Sequence, residues 1–68
     1  MKKEVIKLLK EKGKEKLFTE DRWGIIKELV GFAMKKDLFL KNYLSLDPLI
    51  KAQWMADHLI LLSEQNKI

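Results

Sequence analysis

The chain has 68 residues, a net charge of +4 and no cysteine, and 47% of its residues are hydrophobic. A chain this short buries only about 60% of the surface of its unfolded form, so it usually needs a disulfide, a metal or a partner chain for stability. The absence of cysteine excludes disulfides, and one histidine without a thiol excludes an ordinary structural zinc site. A partner chain remains, and we therefore expect a homodimer or another homo-oligomer.

The basic character of the chain lies in its N-terminal segment. Residues 1–16 hold seven lysines against three glutamates, which equals the whole net charge of +4, whereas residues 17–68 are neutral in sum. We accordingly divide the chain into a basic N-terminal helix and linker, 1–16, and a helical core domain, 17–68. Lysine attracts anions as a point charge and lacks the planar fork with which arginine reads phosphates and bases. The lysines expected to contact an anionic partner are Lys2, Lys3, Lys7, Lys10, Lys12, Lys14 and Lys16.

Residues 2–12 have the apolar spacing of a short amphipathic helix, and Gly13 is placed to end it at the C′ position. The apolar residues of this helix are Val5, Ile6, Leu8 and Leu9. Because the helix is too short to be stable alone, it must dock on the rest of the chain or fray. Its apolar side could instead enter an anionic membrane surface. The polar segment 13–16 predicts a mobile linker.

A second helix is expected over residues 20–35. Phe18 and Trp23 have the spacing of a hydrophobic staple at its start. Apolar residues, Ile25 and Phe32 among them, cover about half of its surface or a little more, so we expect this helix to be largely buried and to be the central packing element. Gly24 and Gly31 lie on its polar side, where they could allow another backbone to approach closely or could be small surface residues.

Residues 36–46 are ambiguous. A short helix over 38–44 could begin after a cap at Asp37, or the second helix could continue, since neither glycine nor proline stops it. Continuation would place Lys41 near the middle of the buried stripe. We therefore predict a break near Lys36 and Asp37.

Asp47 as N-cap and Pro48 at the first helical position predict the start of the last helix, 48–64, and the tail 65–68 is expected to fray. One side of this helix is predicted to face the core, and its members are Leu49, Ala52, Met55, Ala56, Leu59, Ile60 and Leu62. The opposite side carries a narrower apolar stripe, named here the Trp54 stripe. It consists of Ile50, Trp54, Asp57 and Leu61.

Two interpretations of the Trp54 stripe are open. Another helix of the same chain could fold over it, or it could contact a second copy or another protein. Tryptophan is enriched at the energetic centres of interfaces, and exposed apolar patches mark binding sites. We therefore take Ile50, Trp54, Asp57 and Leu61 as candidate protein-interface residues.

No residue pattern in the sequence points to catalysis. His58 is the one histidine, and none of the side chains three and four positions away is expected to orient it or to share a metal ion with it. Ser45 and Ser63 lie in no nucleophile motif, and Glu20 and Asp21 are explained as first-turn helix charges. We predict no catalytic residue, no metal site and no cofactor.

The sequence thus predicts an all-α bundle of three main helices and a short one. The expected function is that of a small non-enzymatic adaptor, regulator or inhibitor acting by stoichiometric protein contact, with the basic segment speeding encounter with an acidic surface. The alternative is non-specific nucleic-acid binding by the N-terminal lysines, through counterion release. No apolar run approaches the roughly 20 residues of a transmembrane helix, and lysines interrupt any signal-peptide core, so we expect a cytoplasmic protein.

Overall fold

A computed structural model describes residues 1–65 of the chain, and the predicted fraying of residues 66–68 lies outside that range. Residues 1–65 contain helices and no β-strand. The elements are α1 (Lys2–Glu11), a 3₁₀ turn (Glu15–Leu17), α2 (Glu20–Lys36), α3 (Leu38–Leu44) and α4 (Pro48–Glu64). The all-α prediction is confirmed, and each predicted helix boundary agrees to within one residue.

Side-chain caps fix the starts of α2, α3 and α4. In each case a side-chain oxygen accepts a hydrogen bond from a backbone N–H of the first turn, which contributes about 1 kcal/mol. The pairs, with the cap first, are Thr19 and Arg22 (3.1 Å), Asp37 and Leu40 (3.1 Å), and Asp47 and Leu49 (2.8 Å). Asp37 is in extended conformation, with φ −130° and ψ 107°, and ends α2 while its carboxylate caps α3. The predicted break near Lys36 and Asp37 is confirmed.

The end of α1 is a Schellman turn built on Gly13. This glycine has a φ of +70°, the left-handed conformation that a side chain disfavours. Its N–H donates to the carbonyl of Lys10 at 3.0 Å, and the N–H of Lys14 donates to the carbonyl of Leu9 at 2.8 Å. The predicted C′ role of Gly13 is confirmed. The segment after it enters the 3₁₀ turn, which contacts α4.

The central helix is α4, which packs against α1, α2, α3 and the 3₁₀ turn. The prediction that α2 is central is wrong. Ala52 and Ala56 are fully buried on α4, where small side chains let neighbouring helices approach closely. Leu49, assigned to the same face, is exposed because it lies in the first turn of α4. The buried residues are Val5, Leu9, Trp23, Ile26, Val30, Leu44, Ala52, Met55, Ala56 and Leu59.

Helix α1 docks on α4 and contributes to the same core. Val5 and Leu9 are fully buried there. Insertion of α1 into a membrane surface would remove both side chains from the core, so the structure argues against that alternative. Among residues 1–65 there is also no helix with the length and apolar content needed to span a bilayer.

Gly24 and Gly31 are not positions of close packing within the chain. A Cβ atom added to either glycine would find no atom of a neighbouring element within 4 Å. Of the two interpretations, the structure therefore agrees with the one in which Gly24 and Gly31 are small surface residues of α2. Glycine at such positions lowers helix stability relative to alanine.

We expect opposite effects from two glycine substitutions. Gly24→Ala should raise the free energy of unfolding by about 0.5–1 kcal/mol, because alanine favours the helix and meets no neighbour. Gly13→Ala should lower it by about 1 kcal/mol, because a Cβ is strained at positive φ. Urea denaturation followed by circular dichroism measures both. Changes of the same sign would contradict the distinction between the two sites.

Candidate protein-contact surface

The Trp54 stripe lies partly within the packing of the chain itself. Ile50 and Trp54 are half-buried and pack against the core. Leu61 is 46% exposed, and Asp57 is exposed with its Oδ1 3.5 Å from Nζ of Lys12. The four residues share one side of α4, but two belong to the core margin and two face solvent. The role of this stripe in binding a partner stays a prediction.

Trp54 and His58 form a stacked pair along α4. Their ring centroids are 3.7 Å apart with an interplanar angle of 19°, and Nδ1 of His58 donates to the carbonyl oxygen of Trp54 at 2.9 Å. The expectation that no nearby side chain orients His58 is wrong in this respect. The signal was present in the spacing, because residues four apart on a helix are neighbours. The imidazole covers part of the indole that the sequence suggested was open.

Carboxylates lie beside several of the seven N-terminal lysines. The ion pairs are Lys2 with Glu20, Lys12 with Asp57 at 3.5 Å, and Lys14 with Glu64 at 4.0 Å. The N-terminal ammonium donates to Oε2 of Glu4 at 2.8 Å and holds the pKa of that carboxyl below its ordinary value. Exposed pairs of this kind add only about 0–1 kcal/mol to stability. They do reduce the local positive potential that the sequence alone indicates for residues 1–16.

The most exposed apolar side chains lie on α2, on α3 and in the loop after α3. Six of the nine large hydrophobic residues that are more than two-fifths exposed occur in this part of the chain. They are Ile25, Phe32, Leu38, Phe39, Tyr43 and Leu46, named here the outer surface. Sequence reasoning missed it because Ile25 and Phe32 were counted in the buried half of α2.

Helix α3 carries the densest part of the outer surface. Leu38 and Phe39 are 72% and 77% exposed, and the rings of Phe39 and Tyr43 are nearly parallel, with centroids 6.4 Å apart. The N–H of Leu46 donates to the carbonyl of Tyr43 at 3.3 Å, which keeps the following loop beside the helix. Leu44 is buried and anchors α3 to the core. This short helix therefore presents adjacent apolar side chains to solvent.

Lysines border the outer surface. A shallow groove of about 460 Å³ separates the end of α2 from α3, and its lining residues are Met34, Lys35, Lys36, Leu38 and Lys41. Nζ of Lys36 lies 5.6 Å from the ring centroid of Phe32. No carboxylate of residues 1–65 forms an ion pair with the three lysines of this groove. An apolar centre with a polar rim is the usual anatomy of a protein interface.

The described part of the chain, residues 1–65, holds no cluster of three or more histidine, aspartate or glutamate side chains that could bind a metal ion. The hydroxyl of Ser63 is buried without a hydrogen-bond partner in that same range. The chain matches no protein-family model, no curated protein and no solved structure. Its function must therefore be argued from geometry.

Alanine substitutions should follow the burial of three residues. Leu59→Ala, in the core, should lower the free energy of unfolding by about 2–5 kcal/mol. Trp54→Ala should cost less than the roughly 3–5 kcal/mol of a fully buried tryptophan, because the ring is half-buried. Phe39→Ala should change stability by no more than about 0.5 kcal/mol. Urea denaturation at low protein concentration measures the series, and a large loss for Phe39→Ala would contradict its exposed position.

Proposed function

We propose that this protein is a small non-enzymatic interaction module that acts by stoichiometric contact with another polypeptide, and that a second copy of the chain is one such partner. The outer surface is the observation that supports this. Its six apolar side chains are 43–77% exposed. Single exposed hydrophobic residues are ordinary, but adjacent ones bordered by polar residues mark binding sites.

The free energy gained by burying apolar side chains favours another polypeptide as the partner. Complete burial of a leucine or phenylalanine side chain is worth about 1.5–3 kcal/mol. Leu38, Phe39 and Leu46 together could therefore offset a substantial part of the cost of association. A small chain with a limited core also gains stability from any partner that binds its folded form.

The outer surface is preferred over the Trp54 stripe because it leaves more apolar area in solvent. An adaptor, regulator or inhibitor would use such a surface by occupying the matching surface of its target. The exposed N-terminal lysines would speed encounter with an acidic partner. Nucleic-acid binding is not proposed, because Lys2, Lys12 and Lys14 already lie against carboxylates.

Sedimentation velocity on the full chain tests the proposal. Between about 10 μM and 1 mM, the average sedimentation coefficient of the wild type should rise, as expected for a weak dimer. The double variant Phe32→Ser with Phe39→Ser should remain a monomer over the same range, because it removes one exposed aromatic ring from each helix. Its helical circular dichroism should be unchanged.

Leu61→Ser is the matched control, since it removes a partly exposed apolar side chain from the Trp54 stripe. Self-association should survive this substitution. Dissociation by Leu61→Ser alone would place the contact on the Trp54 stripe and contradict the assignment to the outer surface. A wild type that stays monomeric at the highest concentration would exclude self-association.

A further inference from the structure

The exposed side of α2 carries opposite charges at its two ends and apolar residues between them. Four exposed residues lie within about 30° of one line along the helix, at roughly 100° per residue. They are Asp21, Ile25, Phe32 and Lys36, named here the α2 face. Neither Asp21 nor Lys36 has an ion-pair partner in residues 1–65.

The α2 face has the same spacing when it is taken from either end. Asp21 precedes Ile25 by four positions, Lys36 follows Phe32 by four, and seven positions separate the two apolar residues. An antiparallel copy that crosses α2 at the midpoint of this face sets Asp21 opposite Lys36 of the second copy. The same crossing sets Ile25 opposite Phe32 of the second copy. Two-fold symmetry repeats each pair.

We infer that two copies of the chain associate through the α2 face in an antiparallel, two-fold arrangement that joins Asp21 of each copy to Lys36 of the other. The inference rests on the proposed self-association and names its geometry. The charges select the antiparallel orientation, because parallel helices would set Asp21 against Asp21 and Lys36 against Lys36. Like charges placed together across an interface disfavour that arrangement.

The monomer already holds part of this surface in place. Nζ of Lys36 lies 5.6 Å from the ring centroid of Phe32, so the ammonium group sits at the end of the apolar part of the face. Ile25 and Phe32 are 43% and 60% exposed and would lose this exposure in the dimer. A side chain that is already ordered loses less conformational freedom on binding.

The expected dimer is weak. Helix α2 has 17 residues and is about 25 Å long, so one helix pair covers less than the roughly 800 Å² per partner of a standard interface. Two copies of Glu28 would also lie near each other across the two-fold axis and repel. Glu28→Gln is therefore expected to tighten the dimer several-fold.

Mixing two charge-reversal variants tests the geometry. Asp21→Lys sets lysine against Lys36 in both pairs, and Lys36→Glu sets glutamate against Asp21, so each variant alone should self-associate about tenfold more weakly. An equimolar mixture regains opposite charges at both positions of a heterodimer. Sedimentation velocity at low salt, with a dye on one variant, should show this heterodimer at close to wild-type affinity.

Lys10→Glu is the matched control. Lys10 is exposed in the last turn of α1, as Lys36 is in the last turn of α2, so the change in charge and the effect on the helix end are the same. This variant should self-associate as the wild type does. With Asp21→Lys it should form a heterodimer weaker than that of Lys36→Glu with Asp21→Lys, because only one of the two facing pairs then has opposite charges. Circular dichroism and urea denaturation verify that each variant is folded.

The failures of the two proposals are distinguishable. If charge reversal leaves self-association intact while Phe32→Ser with Phe39→Ser abolishes it, the α2 pairing is overturned and the proposed function stands. Lys10→Glu could also form the heterodimer with Asp21→Lys as tightly as Lys36→Glu does. That result would show that net charge alone explains the effect, and it would overturn the pairing. A mixture that stays dissociated would overturn the antiparallel geometry. A wild type that never self-associates would overturn both proposals.

Discussion

The fold depends on the burial of one side of α4 against three other helices. Ala52 and Ala56 are fully buried there and let the neighbouring backbones come close, while Met55 and Leu59 fill the space between them. Each large buried side chain contributes about 1.5–3 kcal/mol. Helices α1 and α3 are short and marginal alone, so their helical state depends on this contact. A polar group placed at this face would affect every other element at once.

The same arrangement explains why α2 and α3 have apolar outer sides. Helices α2 and α3 pack against each other and against α4, and within residues 1–65 the apolar side chains on their outer sides stay exposed. A chain of this length has too much surface for its volume to bury both sides of its helices. The exposure of Phe32, Phe39 and Leu46 follows from that limit. Association with a partner would reduce the apolar area that these side chains leave in solvent.

Local signals predicted the helices well, whereas the identity of the buried sides needed the tertiary structure. Asp37 and Asp47 marked helix starts because a cap acts within one turn. A helical wheel shows which residues share a side, but it does not show how many sides a neighbour will cover. Ile25 and Phe32 were therefore assigned to the core, and Trp54 was judged more open than it is. The stack of His58 on its indole reduces that exposure.

The position of α4 in the chain has a consequence for folding. Val5 and Leu9 pack in a core whose centre is formed by residues about 50 positions later, so this contact closes a long loop. Contacts between distant residues slow folding, because the entropy of loop closure is lost before the contact is gained. During synthesis, α1, α2 and α3 all leave the ribosome before the helix that buries them. Until α4 is made, their apolar sides stay accessible to chaperones and to other nascent chains.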